Sequence, residues 1–173
     1  MVFIGGLNKG DHQDSEGADR LQLGLPYGQD AVIGALAEAN PNLAVAIVSG
    51  NAVAMPWIDR VPAVLEAWYS GSEAGNALAD VLFGAVNPSG KLPFTFPVRL
   101  EDCSAHSAGE YPGDGQVVYR DGIFVGYRWI EKERIGPLFA FGHGLSYTTF
   151  DIANVQADRT SLATTGRLRV SAD

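Results

Sequence analysis

Three scarcities narrow the reading of this 173-residue chain before any motif is considered. It holds a single cysteine, Cys103, so no internal disulfide framework can staple the fold. Three histidines beside that one thiol leave few soft donors for a zinc centre. Positive charge is short as well: 12 Lys and Arg stand against 20 Asp and Glu, for a formal charge of −8. An acidic chain of this kind repels phosphate backbones and anionic lipid, which argues against nucleic-acid and membrane-surface partners. No apolar run approaches the roughly 20 residues needed to span a bilayer. A basic stretch leading into an apolar one is missing from the start, as are internal repeats and low-complexity segments.

What is plentiful is apolar material and glycine. Hydrophobic residues make up 46% of the chain and charged ones 18%, enough for a core and too little charge for disorder. The 21 glycines and 9 prolines cluster between apolar runs, as in a sheet protein with tight connections. Met1 to Ile4 reads as a short strand stopped by Gly5-Gly6. Gln29 to Asn40 reads as a helix with Val32, Ile33, Leu36 and Ala37 on one face, ended by Pro41.

Leu43–Val48 and Ala63–Tyr69 are apolar on both faces, the mark of parallel strands covered by helices. Glu73 to Phe83 follows as a helix with Leu78, Val81 and Leu82 inward, and Lys91 to Phe96 alternates like a strand. The order gives an α/β class: an open, mostly parallel sheet with helices on both faces. Residues 99–118 form a long polar loop, and loops of that length are either functional or disordered. Order is expected again at Val117-Val118-Tyr119 and Ile123 to Trp129. From Thr148 the texture becomes alternating β, with Phe150, Ile152, Leu168 and Val170 facing a sheet that the residues at hand do not supply.

Open α/β sheets bind ligands outside the carboxyl ends of their strands. Glu73 sits just past the strand beginning at Ala63, between Gly71 and Gly75. Spacing alone leaves it two roles, a first-turn cap or a carboxylate shown to a cleft. The polar loop from Asp11 to Arg20 leaves the first strand at the same edge. There Glu16, Asp19 and Arg20 can clamp sugar hydroxyls or another domain, or can simply be a solvated loop. Two look-alikes fail. A serine-hydrolase elbow needs serine where Glu73 stands, and Gly5 to Gly10 lacks both the Lys-Ser/Thr ending of a phosphate loop and dinucleotide glycine spacing. His143, between two glycines, reads as a turn residue. Cys103 reads as incidental, and Trp57, Trp68, Tyr69 and Trp129 as core more than sugar platforms.

The motifs have a family likeness. Ser15-Glu16-Gly17-Ala18-Asp19-Arg20, then Leu21-x-Leu-x-Leu-Pro26, then Met55-Pro56-Trp57 come first. Ala67-Trp68-Tyr69-x-Gly71-x-Glu73-x-Gly75-Asn76 through Gly84, Asn87 to Pro93, Gly122 to Arg128 and Phe141 to Phe150 follow in order. Together they resemble the second domain of glycoside hydrolase family 3, in its β-glucosidase branch. The resemblance implies that residues 1–147 are an α/β sandwich domain whose opening strands lie outside the sequence. It implies that 148–173 begin a fibronectin-type-III-like β-sandwich. A (β/α)8-type barrel in cis would bring an aspartate nucleophile, and Glu73 would be the acid/base group acting on a β-glucoside or oligosaccharide. No cofactor is implied, and the setting would be periplasmic or extracellular, with the cytoplasm an alternative. A β-xylosidase or other β-glycosidase, or a non-catalytic carbohydrate-binding or interdomain module, is the alternative function.

Overall fold

In the computed structural model, which describes residues 1–10 and 12–173, three parallel strands form the sheet. They are β1 (Val2–Gly6), β2 (Ala44–Val48) and β3 (Ala63–Glu66), in the order β1-β2-β3. The register sets Phe3 beside Val45, and Ala46 beside Leu65. Central β2 is buried on both faces: Val45, Ala46 and Ile47 are each at most 1% exposed. That is the outcome its unbroken apolar run requires.

Between β1 and β2 runs α1 (Gln29–Ala39). Gly28 opens it in the left-handed region, at φ 72°, where only glycine is at ease. Asn40 closes it in an extended conformation ahead of Pro41. Asp30 in the first turn accepts the Leu25 N–H at 3.0 Å and the Trp57 indole N–H at 2.8 Å, so it pins the entry loop and the core tryptophan together. Ile33 on the inner face is wholly buried, and such burial is worth roughly 1.5–3 kcal/mol relative to exposure. It joins Leu43, Val45, Ile47, Val53, Met55 and Trp57 in one core that extends to Phe96.

The later elements are shorter. A 3₁₀ turn, Gly71–Glu73, leads into α2 (Ala74–Leu82), whose apolar side is only half-buried. Further on come α3 (Ser104–Ser107), α4 (Tyr127–Lys132) and a two-stranded antiparallel pair, β4 (Gln156–Ala157) with β5 (Val170–Ser171).

Three sequence expectations need correction. Lys91 to Phe96 forms no strand; its one ladder contact is a bridge between Phe96 and Phe139. Pro93 and Pro97 remove donors that a ladder needs. The alternation instead sorts side chains, with the Phe94 and Phe96 rings stacked 5.6 Å apart and Phe139 edge-on to Phe96. The strand expected over 63–69 stops at Glu66, because Trp68 lies at φ 51° and turns the chain. Order near Ile123 arrives as a helix. Gly126, at φ 58° and ψ −129°, admits the chain to α4, while Val117, Val118 and Tyr119 stay outside any element and exposed. From Asp151 onward every residue is exposed, including Ile152, Leu168 and Val170.

Candidate functional site

The three strands are parallel, so their carboxyl ends share one edge, and three chain segments leave it: residues after Gly6, after Val48 and after Glu66. Asp14 ties them together. Its carboxylate accepts the amide of Asn51 at 2.8 Å and the hydroxyl of Tyr69 at 3.0 Å, and it also takes the backbone N–H of Gly50. Burial pushes the Asp14 carboxyl up, but the bonds from Asn51, Gly50 and Tyr69, with Arg20 nearby, outweigh it and hold the group below its usual range. The Tyr69 hydroxyl is pushed up to about 12, by burial first and then by the bond to Asp14. Lys9 lies 4.8 Å over the Tyr69 ring.

Beneath this knot is Glu66, the last residue of β3. One carboxylate oxygen accepts the Ser49 hydroxyl at 3.3 Å and the Trp68 N–H at 3.2 Å, and the other is buried without a partner. Burial raises its pKa to about 7, and the charge of Asp14 pushes the same way, against the hydrogen bonds. The sequence signal was available: Glu66 is the one charged residue in an apolar run.

Above the knot the 13–20 loop and Asn51 line a polar cleft of about 300 Å³. Glu16, Asp19 and Arg20, the loop candidates from sequence, all line it. Arg20 spans back to the sheet, with one guanidinium nitrogen donating to Ala52 O at 2.7 Å; its other terminal nitrogen is buried and unpaired. Asp11, the first residue of that loop in sequence, lies outside the described residues. A residue the sequence did not single out, Tyr111, donates its hydroxyl to Asp19 from 92 positions away, with its ring 5.1 Å from His106. The 99–118 stretch, expected as one long loop, carries a 3₁₀ turn at Leu100–Asp102 and α3, and the segment after α3 reaches the rim of the cleft through Tyr111.

Glu73 stands elsewhere. It ends the 3₁₀ turn after β3, is exposed, and does not line the cleft. As the residue ahead of α2 it makes no side-chain bond to the helix backbone. Its carboxylate takes the Asn76 amide at 2.6 Å instead.

The other candidates are occupied within the fold. Trp57 is core, Trp68 meets Phe94 and Phe96 edge-on, and the Trp129 indole donates to Asp102 O at 3.1 Å. His143 forms a turn, its N–H donating to Ala140 O at 3.0 Å and its ring stacking on Phe139. The Cys103 thiol is pushed up by burial, away from reactivity. Among the described residues no group of three His, Cys, Asp or Glu is placed to hold a metal ion.

A parallel sheet with helices, and a carboxylate-lined crevice at its carboxyl edge, define an open α/β domain. This chain belongs to glycosyl hydrolase family 3: residues 1–147 match that family's C-terminal domain. It is 51% identical to the beta-glucosidase BoGH3A of Bacteroides ovatus, over 99% of this chain and 23% of that protein. It is 46% identical to the thermostable beta-glucosidase B of Acetivibrio thermocellus, over 93% of this chain and 21% of that protein. Among solved structures it superposes on DesR, a beta-glucosidase from Streptomyces venezuelae in complex with D-glucose, with a TM-score of 0.89. Identity there is 42%, over 99% of this chain and 21% of that one. A beta-glucosidase from Kluyveromyces marxianus in complex with glucose gives 0.85 at 42% identity, over 92% of this chain and 18% of that one. The chain thus spans about a fifth to a quarter of the length of the curated relatives it matches.

Proposed function

We propose that this chain is the α/β sandwich of a retaining β-glucosidase that removes terminal β-D-glucosyl residues, and that it brings the acid/base carboxylate to a nucleophile on a barrel outside these 173 residues. The likeness to named beta-glucosidases supports the substrate class. The observation that carries the site is the cleft, where Glu16, Asp19 and Arg20 converge. A retaining glycosidase holds two carboxyl groups about 5–5.5 Å apart; one attacks the anomeric carbon and the other protonates the leaving oxygen, then deprotonates water. Residues 148–173 fit the proposal as the first strands of a fibronectin-type-III-like sandwich, since Phe150, Ile152, Leu168 and Val170 expose apolar side chains. A periplasmic or extracellular setting belongs to the same reading.

Two carboxylates compete for the proton-transfer role. Glu73 is the one that motif likeness assigns. Glu16 is the one that geometry favours, because it faces the cleft beside Asp19 and Arg20, whereas Glu73 is held by its own helix's Asn76. Asp19 and Arg20, beside it in the cleft, would then grip sugar hydroxyls. The deciding experiment replaces each glutamate with alanine in the complete enzyme and compares activated aryl glucosides with substrates having poor leaving groups. The true acid/base residue loses about 10²–10⁴-fold on the poor leaving groups, far less on the activated ones, and azide restores its turnover as the β-glycosyl azide. Uniform losses without azide rescue at both positions would take the acid/base role out of this chain.

A further inference from the structure

Glu16 lies on a loop fastened on both flanks, with Gln13 further back accepting the Asn8 N–H and donating to the Tyr27 hydroxyl, each at 2.9 Å. On one side Arg20 reaches Ala52 O through a single bond. On the other, Asp14 gathers Gly50 N–H, the Asn51 amide and the Tyr69 hydroxyl. Both anchors land on or beside the 50–52 segment after β2, and Asp14 adds the segment after β3. Between them the 15–19 stretch has a local bridge, Ser15 to Ala18, and one distant contact, the Tyr111 hydroxyl on Asp19. Both fastenings use a charged group, but Asp14 takes three hydrogen bonds where Arg20 makes one to Ala52, so the Asp14 side is the stronger.

We propose that Asp14 is a positioning residue for proton transfer, its carboxylate fixing the loop so that Glu16 meets the leaving-group oxygen. The proposal rests on the reading of Glu16 as the acid/base group. Both Asp14 oxygens accept: one takes Asn51, the other Gly50 and Tyr69. Asparagine keeps nearly the same shape but sets an amide donor against existing donors on one side, so it breaks part of the knot without opening a cavity. An acid shifted by about 1 Å can lose of the order of 10²-fold in the step it serves.

The test uses the complete enzyme with three variants: Asp14→Asn, Tyr69→Phe and Glu16→Ala. In Asp14→Asn, kcat on an alkyl glucoside should fall at least about tenfold, kcat/KM on a dinitrophenyl glucoside should stay within about threefold, and inhibition by glucose should be unchanged. Tyr69→Phe deletes one of the three bonds and should show the same substrate bias at about two- to threefold, and it keeps the test open should Asp14→Asn fail to fold. Equal losses on both substrates, or no loss, in a variant that melts like the parent would overturn the positioning role. The Glu16→Ala arm separates the two claims. If it discriminates between leaving groups while Asp14→Asn does not, Asp14 fails and the assignment of Glu16 survives. If Glu16→Ala shows no discrimination, the assignment itself is what has failed.

Discussion

Two carboxylate-bearing turns leave the same edge of the sheet, and they are built in opposite ways. The 12–20 loop is fastened to the segments after β2 and β3 by Asp14 and to the former again by Arg20, and it lines a cleft. The 71–76 turn is exposed, and its glutamate is satisfied by a neighbour three residues on. A carboxylate tied only to its own helix keeps its place whatever the rest of the domain does. One on a fastened loop inherits its position from the whole edge, which is the support that the proposed acid/base role of Glu16 calls for.

The largest test of this contrast is the pair of alanine variants already described, with about 10²–10⁴-fold at stake on poor leaving groups. The next concerns the ground beneath the fastened loop. Glu66, with its pKa raised from 4.5 to about 7 by burial, is more stable protonated in the folded state. Its contribution is therefore fully present below about pH 4.5 and is lost as pH rises towards and past 7, with a ceiling of roughly 3 kcal/mol. Glu66→Gln stays neutral throughout, so the variant should gain stability relative to the parent across that window. Urea unfolding of both proteins from pH 4 to 8 measures it, and parallel curves would count against a buried, protonated Glu66. Asp14 runs the other way. Its lowered pKa stabilises the fold above about pH 4 and is lost as pH falls, so the comparison should be read as a difference between variant and parent.

The smallest effect sharpens the contrast from the other side. Asn76→Ala removes the amide that holds Glu73 and should cost no more than about 0.5 kcal/mol in melting, given an exposed pair. Activity on all substrates should stay within about twofold if Glu73 is peripheral. A selective loss on poor leaving groups would bring Glu73 back to the centre.

Much of this fold could be read from residue order. The apolar runs at 43–48 and 63–69 became neighbouring parallel strands, the second only as far as Glu66, and Ile33, Leu36 and Ala37 became the inner face of α1, while Val32, expected beside them, is exposed. The Lys91–Phe96 segment was misread because alternation reports which face a side chain takes, and it does not report whether the backbone finds a partner. In the site, Glu16, Asp19 and Arg20 were legible together because they lie within one short loop. The links from Asp14 to Tyr69 and from Tyr111 to Asp19 span 55 and 92 positions, and only the folded path of the chain brings them into contact. Glu66 was visible as a lone acid in an apolar strand, a pattern that marks either a misplaced charge or a neutral one.

The bend at Trp68 has an optical consequence. Its backbone N–H rests on the Glu66 carboxylate, while its indole packs edge-on against Phe94 and Phe96. The chromophore is thus wired, through one peptide unit, to the group that titrates near neutrality. Indole emission depends on the local field, so deprotonating Glu66 should shift the emission of Trp68, and Trp68→Phe should remove that pH-dependent part while Trp57 and Trp129 still emit.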